Sequence, residues 1–155
     1  PLNPAAAFDT KQWDAEKFAS LASSLADDGH QVIFTAGPGE EVLLKKIEEN
    51  SPRQVRFVLP MSVERFSALA SLCRVYIGND TGSTHIAAAL GKSVVAIFGS
   101  SDSRVWYPWE TEHRLVKSEL PCMPCPGFFC LHYEEPHCIR SIPVEPVLHA
   151  VHSLL

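Results

Sequence analysis

Short apolar runs alternate with amphipathic runs over the first hundred residues of the chain. Four apolar residues fall at positions i, i+3, i+4 and i+7, namely Phe18, Leu21, Ala22 and Leu25. This spacing predicts a helix that Asp14 caps and Gly29 ends. The apolar run 31–36 predicts a strand, residues 37–39 (GPG) a turn, and residues 40–50 a second helix with acidic residues at its start.

The same unit then repeats along the chain. Residues 55–59 predict a strand, and Ser62 is expected to cap the helix that follows. That helix carries an apolar face formed by Phe66, Leu69, Ala70 and Cys73, which places Cys73 in the core. Residues 75–78 predict the next strand, a helix begins near Ser83, and residues 93–99 predict the last strong strand. Strands alternating with helices imply parallel βαβ units and a doubly wound α/β sheet of the Rossmann-like type.

The texture of the sequence changes after the last of these strands. Residues 100–140 are rich in Pro, Cys and aromatic side chains, with one short strand predicted at 113–117. Residues 144–155 predict a closing helix. We therefore predict one domain over residues 1–155, with an irregular Cys/Pro-rich segment at 118–140.

Composition narrows the class of protein. At 155 residues, with 46% hydrophobic and 20% charged residues, the chain is typical of a globular domain with its own core. The formal net charge of −5 argues against general binding to nucleic acid, which requires clustered Lys and Arg. No apolar stretch approaches the roughly 18 residues that a membrane span requires. Because the chain begins with Pro1 and lacks an initiator Met, we expect it to be part of a longer protein or a trimmed piece of one.

The run IGNDTGSTHIAAALGKSVVAIFG (77–99) carries more polar chemistry than a structural connection needs. Its loop follows a strand and leads into a helix, which is where ligands bind in doubly wound sheets. Gly82 lets backbone approach a ligand, and the free amides of the helix start favour a phosphate or diphosphate. Polar side chains that add donors to this loop are Thr81, Ser83, Thr84 and His85.

Asp80 is the unusual member of this loop, because a carboxylate repels an anionic ligand. Two roles explain it: it caps the amides of its own loop, or it accepts hydrogen bonds from a ligand's sugar hydroxyl or ammonium-like partner. A structural interpretation also remains, in which Asp80 and Thr81 only cap the helix and His85 only packs. The loop matches neither GxGxxG nor GxxxxGK[ST], which disfavours NAD-dependent oxidoreductases and phosphate-loop nucleotidases.

The run NDTGSTHIAAALGKSVVAIFGSSD (79–102) resembles the signature of the lipopolysaccharide heptosyltransferase family, glycosyltransferase family 9. Residues 10–41 and 59–82 are similar to the same family in the same order, and the cysteine segment also fits. The resemblance implies the C-terminal, donor-binding half of a two-domain GT-B glycosyltransferase. It further implies an absent N-terminal acceptor domain that carries the general base.

The implied reaction is inverting transfer of heptose, or a related sugar, from a nucleotide diphosphate sugar to a lipid-linked oligosaccharide acceptor. ADP-heptose is the expected donor. The resemblance implies that no cofactor is required for catalysis, because Lys11 and helix amides take the role of a divalent ion. It also implies a cytoplasmic enzyme, peripheral at the inner face of the inner membrane. The isolated chain is expected to bind donor without turnover.

The resemblance also assigns roles to individual residues. Lys11 and Asp80 match the catalytic positions, with Lys11 neutralising charge on the leaving diphosphate. The remaining matches form the expected donor site: Thr10, Glu40, Met61, Thr81, Gly82, Ser83 and His85, together with Asp80 itself. Within it, Glu40 accepts from ribose hydroxyls and Met61 lies against the nucleotide base. From composition alone, Lys11 would be a solvated surface lysine and Glu40 ordinary charge at a helix start.

Four cysteines follow in the spacing C-x2-C-x4-C-x7-C, namely Cys122, Cys125, Cys130 and Cys138. Thiols at this density suggest a structural zinc site, with disulfides and free thiols as alternatives. His132 or His137 could replace one thiol as a ligand. The cluster is expected to be structural, not catalytic.

Three further functions stay open at this level. A sugar-nucleotide epimerase-type domain shares the fold plan, a non-catalytic nucleotide-binding module keeps the phosphate loop, and NAD-dependent oxidoreduction is weakened by the missing glycine fingerprint. The aromatic group formed by Trp106, Tyr107 and Trp109 would face either the donor sugar or the absent domain.

Overall fold

The computed structural model describes residues 1–58, 60–125 and 128–155. Its six strands form one sheet in the order β3-β2-β1-β4-β5-β6, and every neighbouring pair is parallel. The strands are β1 (Leu2–Asn3), β2 (Ile33–Phe34), β3 (Arg56–Phe57), β4 (Val75–Asn79), β5 (Ser93–Phe98) and β6 (His113–Lys117). The predicted doubly wound α/β fold is therefore confirmed.

Six α-helices connect and cover the strands in the described part of the chain. They are α1 (Ala15–Asp27), α2 (Glu41–Glu48), α3 (Val63–Ser71), α4 (Gly82–Ala89), α5 (His137–Arg140) and α6 (Val144–His152). A single 3₁₀ turn, Asp9–Lys11, precedes α1. Helix α1 packs against α2 and α6 on one face of the sheet, and α3 packs against α4. Two buried apolar clusters result, consistent with a parallel sheet whose faces are both covered.

The central strands β4 and β5 read as continuous apolar runs because both of their faces are buried. All five residues of β4 are buried, and so are five of the six residues of β5. Helix α1 fits the predicted spacing, since its buried positions are one apolar stripe around Phe18 and Leu21. Trp13, also fully buried, packs edge-on against Phe18 with ring centroids 4.9 Å apart.

Several boundaries and local contacts differ from the sequence prediction. The strand predicted at 31–36 is reduced to two residues, and the strand predicted at 55–59 likewise, with Leu59 outside the described residues. Asp14 and Ser62 do occupy the positions before α1 and α3, but neither side chain makes the cap hydrogen bond. Asp14 instead pairs with Lys17 at 3.0 Å.

Two elements were missed and one residue was misplaced. Strand β1 was not predicted because a two-residue strand next to Pro4 leaves no periodic pattern to detect. Helix α5 was missed inside the segment predicted to be irregular, since four residues are too few to show helical spacing. Cys73 is only half-buried just beyond α3, where its thiol donates to the carbonyl of Leu69, so its placement in the core was wrong.

The strand order locates the place where a ligand site is expected. Strands run outward from β1 through β2 to β3 on one side, and from β4 through β5 to β6 on the other. Loops leaving β1 and β4 therefore diverge, and they leave a crevice beyond the carboxyl ends of these two strands. The loop 78–85 begins at this edge.

Candidate functional site

A cleft of about 470 Å³ occupies this crevice. Loops that follow four strands line it, those of β1, β2, β3 and β4. Among its lining residues are five of the predicted donor-site residues: Glu40, Met61, Thr81, Gly82 and Ser83. The walls are otherwise small or apolar, with Ala5, Ala6 and Ala7 following β1. The structure thus brings together predicted donor-site residues that are up to 43 positions apart in the chain, from Glu40 to Ser83.

Asp80 stands at the end of β4, and only 5% of its surface is exposed. Its Oδ2 lies 2.7 Å from Nζ of Lys11, which is 25% exposed. Its Oδ1 lies 3.6 Å from Nε2 of His85. A buried carboxylate is stable in such a position when cationic or hydrogen-bonding groups compensate its charge. The cation nearest to Asp80 is therefore Lys11 of the same chain.

Asn79 explains why Lys11 lies opposite Asp80. The buried side-chain amide of Asn79 donates to the carbonyl of Pro4 at 2.8 Å, and its Oδ1 accepts from the backbone amide of Trp13 at 3.2 Å. These two bonds tie the end of β4 to both sides of the 3₁₀ turn that carries Lys11. Sequence analysis missed Asn79, although a polar residue at the end of an apolar strand was the available signal.

Thr10 supports the same turn from behind. It is 2% exposed, and its hydroxyl accepts a hydrogen bond from Ser100 Oγ at 3.1 Å. Its carbonyl accepts from the amide of Ser100 at 3.1 Å. The turn approaches the end of β5 so closely that a Cβ on Gly99 would lie 2.0 Å from the Thr10 carbonyl oxygen. The structure therefore places Thr10 beneath the site, holding the backbone of Lys11.

Four hydroxyl groups gather at the start of α4. Tyr76 Oη lies 2.8 Å from Ser83 Oγ, which in turn lies 2.8 Å from Thr81 Oγ1. Thr84 donates to the carbonyl of Asn79, closing the first turn of the helix from inside. Burial raises the pKa of Tyr76 to about 12, against the opposing effect of its hydrogen bonds to Ser83, Thr84 and Thr81. Sequence analysis did not identify Tyr76, since an aromatic residue in a buried strand normally indicates packing alone.

The two remaining predicted donor contacts line the opposite wall of the cleft. Glu40 precedes α2, and its Oε2 accepts a hydrogen bond from the amide of Gly37 in the same turn. Met61 is partly buried and packs against the apolar cluster that includes Phe66 and Tyr76. One carboxylate oxygen of Glu40 thus stabilises the turn that precedes α2.

A second cleft, of about 510 Å³, is lined by Lys11, which does not line the first cleft. It is lined by Ser100, Ser101 and Asp102 after β5 and by three aromatic residues, Phe8, Trp106 and Phe128. Trp106 also faces His85 edge-on, with ring centroids 6.4 Å apart. Lys11 thus lines the cleft that carries the aromatic rings, whereas its partner Asp80 directly precedes Thr81, which lines the first cleft.

The cysteine segment does not form the predicted zinc site. Cys73, Cys122, Cys130 and Cys138 are free thiols. Burial raises the pKa of Cys138, and the charges of Cys130, Cys122 and Cys125 raise it further. Within residues 1–58, 60–125 and 128–155, no three Cys, His, Asp or Glu side chains form a group suited to a metal ion. The arrangement supports the alternative of free thiols for Cys122, Cys130 and Cys138.

Together, these features define a Rossmann-like α/β domain whose polar cleft lies where the strand order reverses. This class of domain binds phosphate-bearing ligands at that edge of the sheet. The chain belongs to glycosyltransferase family 9 (heptosyltransferase), whose family model matches residues 2–132.

Curated relatives agree with this family. The chain is 30% identical to lipooligosaccharide heptosyltransferase 2 of Campylobacter jejuni, over 99% of this chain and 50% of that protein. It is 31% identical to lipopolysaccharide heptosyltransferase 3 of Escherichia coli K12, over 99% of this chain and 45% of that protein. The chain therefore spans about half the length of the curated relatives it matches.

Solved structures show the same fold. A glycosyl transferase family 9 structure from Veillonella parvula superposes with a TM-score of 0.83 at 21% identity, covering 99% of this chain and 44% of that one. The structure of E. coli ADP-heptose lps heptosyltransferase II superposes with a TM-score of 0.81 at 22% identity, covering 99% of this chain and 45% of that one. The structure of E. coli heptosyltransferase WaaC with ADP superposes with a TM-score of 0.76 at 21% identity, covering 99% of this chain and 43% of that one. The chain has the fold of the C-terminal half of a GT-B glycosyltransferase.

Proposed function

We propose that this chain is the donor-binding domain of an inverting heptosyltransferase that uses ADP-heptose and acts on a lipopolysaccharide core acceptor. One observation carries the proposal. Glu40, Met61 and the start of α4 face one cleft at the switch point of the sheet, with the Lys11–Asp80 pair beside it. The ADP named for one solved relative supports the choice of nucleotide.

Each wall of the cleft suits one part of a nucleoside diphosphate. The apolar wall at Met61 and the alanines after β1 would take the flat face of a base. Glu40 would accept hydrogen bonds from the ribose. The amides and hydroxyls at Thr81, Gly82 and Ser83 would bind the diphosphate, since the first turn of a helix presents unpaired N–H groups.

Lys11 would act on the leaving group. In an inverting transfer, an acceptor hydroxyl attacks the anomeric carbon, and the bond from that carbon to the diphosphate oxygen breaks with its electron pair on the diphosphate. The acceptor proton passes to a base, which we assign to a domain outside this chain. Asp80 uses one of the three Lys11 N–H groups and leaves the others to meet the growing negative charge.

The net charge of −5 makes local geometry essential to this function. The field of the whole chain repels a diphosphate, so binding depends on amides, hydroxyls and Lys11 at short range. No described helix of the chain is long and apolar enough to cross a bilayer. We propose that the whole enzyme acts at the cytoplasmic face of the inner membrane, where a lipid-linked acceptor would be presented.

Calorimetric titration with ADP, UDP, GDP and NAD tests the proposal. We expect binding of ADP in preference to the other three, and no transfer of heptose from ADP-heptose by the chain alone. Preference for UDP or GDP would contradict ADP-heptose as the donor. Binding of NAD without any nucleoside diphosphate would contradict a glycosyltransferase donor site.

A further inference from the structure

Tyr76 is built into the base of the proposed diphosphate site. It lies in the middle of β4 with none of its surface exposed, and its ring meets Phe66 edge-on at 6.1 Å. The next residue but one in the strand is Gly78, where a Cβ would stand 2.6 Å from Tyr76 Oη. Glycine at this position therefore leaves the space that the phenol oxygen occupies.

The hydrogen bonds around Tyr76 have a preferred direction. Thr84 has one hydroxyl proton, and it goes to the carbonyl of Asn79, which can only accept. Thr84 Oγ1 is also the more distant neighbour of Tyr76 Oη, at 3.5 Å against 2.8 Å for Ser83 Oγ. Ser83 Oγ is therefore the nearer acceptor for the Tyr76 proton.

The same reasoning continues outward to the cleft. When Ser83 accepts from Tyr76, its own proton is available to Thr81 Oγ1 at 2.8 Å. Thr81 then accepts from Ser83, and its proton is left for a group in the cleft that it lines. Hydrogen bonds in such a chain polarise one another, which strengthens the last donor.

We propose that Tyr76, Ser83 and Thr81 form a directed hydroxyl relay that fixes Thr81 as a hydrogen-bond donor to a phosphate oxygen of the ligand. The relay rests on the function proposed above and makes Tyr76 a positioning residue that never touches the ligand. A phosphate oxygen suits the end of this relay because it only accepts. With the relay reversed, Thr81 would face the cleft as an acceptor and would repel a phosphate.

The protonation of Tyr76 agrees with this direction. Burial raises its pKa to about 12, and the nearby carboxylate of Glu40 acts in the same sense. The phenol therefore keeps its proton at neutral pH and can act as the first donor.

The test compares ligands that do and do not carry phosphate. Tyr76→Phe keeps the ring and removes the first donor, so we expect affinity for ADP and for inorganic pyrophosphate to fall about three- to tenfold. Affinity for adenosine, which has no phosphate, should stay within about twofold. Thr81→Val should cause the largest loss for the two phosphate ligands, because it removes the donor itself. Tyr133→Phe, at an exposed tyrosine elsewhere, is the matched control.

A double-mutant cycle distinguishes the relay from separate structural effects. The double variant Tyr76→Phe/Ser83→Ala should bind ADP no more weakly than Ser83→Ala alone. Full additivity, or an equal loss of adenosine affinity, would overturn the relay. If the wild-type chain binds pyrophosphate but no nucleoside diphosphate, the proposed function fails and the pyrophosphate series still decides the relay. Binding of neither ligand would contradict both.

Discussion

The loops that follow β4 and β5 leave the same edge of the sheet but differ in how they are held. After β4, Asp80 and Thr84 are buried and bonded to residues from several elements. After β5, the segment 105–109 exposes Trp106 and Trp109, which are 55% and 67% exposed. One loop is complete within this chain, whereas the other presents an apolar surface.

The two loops therefore differ in what their side chains contact. The β4 loop is specified by short-range chemistry, since each polar side chain has a partner within the fold. Exposed aromatic residues at this density are typical of surfaces that meet another molecule or domain. The prediction that an absent domain covers Trp106, Tyr107 and Trp109 agrees with a chain that spans about half of its relatives, and it stays a prediction.

The largest expected effect comes from the contact that joins the two loops through the Lys11 turn. In Gly99→Ala, the new Cβ would lie 2.0 Å from the backbone oxygen of Thr10, which has no freedom to move alone. We expect a loss of about 3 kcal/mol or more in the free energy of unfolding. Gly82→Ala is the control in urea unfolding, because a Cβ at Gly82 meets nothing within 4 Å. Equal losses for the two variants would show that the close approach at Gly99 does not matter.

Alkaline unfolding tests the buried hydroxyls of the β4 loop. The pKa of Tyr76 is raised to about 12 in the folded chain, above its ordinary value of 10.0. Its contribution to stability is therefore fully present below about pH 10 and is lost as pH rises toward 12. Between these pH values the wild type should lose about 2–3 kcal/mol more than Tyr76→Phe. A parallel pH dependence for both proteins would contradict the buried, protonated phenol, and Tyr133→Phe should behave as wild type.

Lys11→Ala tests the charge that pairs with Asp80 at the end of β4. Removing the ammonium should lower the affinity for ADP about tenfold or more, since a hydrogen bond to a charged group contributes about 1.5–3 kcal/mol. Lys92→Ala is the matched control, because the Lys92 ammonium binds the carbonyl of Ser71 at the opposite end of β5. Calorimetry that finds the two variants equal in ADP affinity would remove Lys11 from the site.

The smallest effect on stability is expected in the exposed loop. Trp106→Ala should change the free energy of unfolding by no more than about 0.5 kcal/mol, because a surface substitution removes little packing. Trp13→Ala, at a fully buried tryptophan, should cost about 3–5 kcal/mol in the same experiment. A large loss for Trp106→Ala would mean that the loop after β5 is held as tightly as the loop after β4.

The same contrast explains what could be predicted from sequence. Long apolar strands such as β4 and β5 and the stripe of α1 carry their periodicity in the chain, so the fold class followed from them. The loop 78–85 was found because its polar residues are contiguous. The role of Thr10 as a donor contact stays a prediction, and only the fold shows that Ser100 donates to its hydroxyl.

Other parts of the site depend on contacts distant in sequence. Asn79 bonds Pro4 and Trp13, which lie 75 and 66 positions away, and its only local signal is that it is a polar residue at the end of an apolar strand. The sequence predicts Tyr76 to be an ordinary core residue. Only the structure shows that Gly78 and Ser83 lie next to its phenol oxygen. The cysteine spacing suggested metal, but side-chain arrangement and not spacing decides whether thiols converge.

Mapping ADP on the chain by backbone amide chemical shifts tests the central claim most directly. We predict that the largest shifts fall at residues 81–85 and 37–40, with a further shift at Met61, and that residues 100–106 respond less. Shifts confined to the aromatic cleft around Trp106, or no shifts at ADP concentrations that saturate the calorimetric signal, would contradict a donor site at the switch point of the sheet.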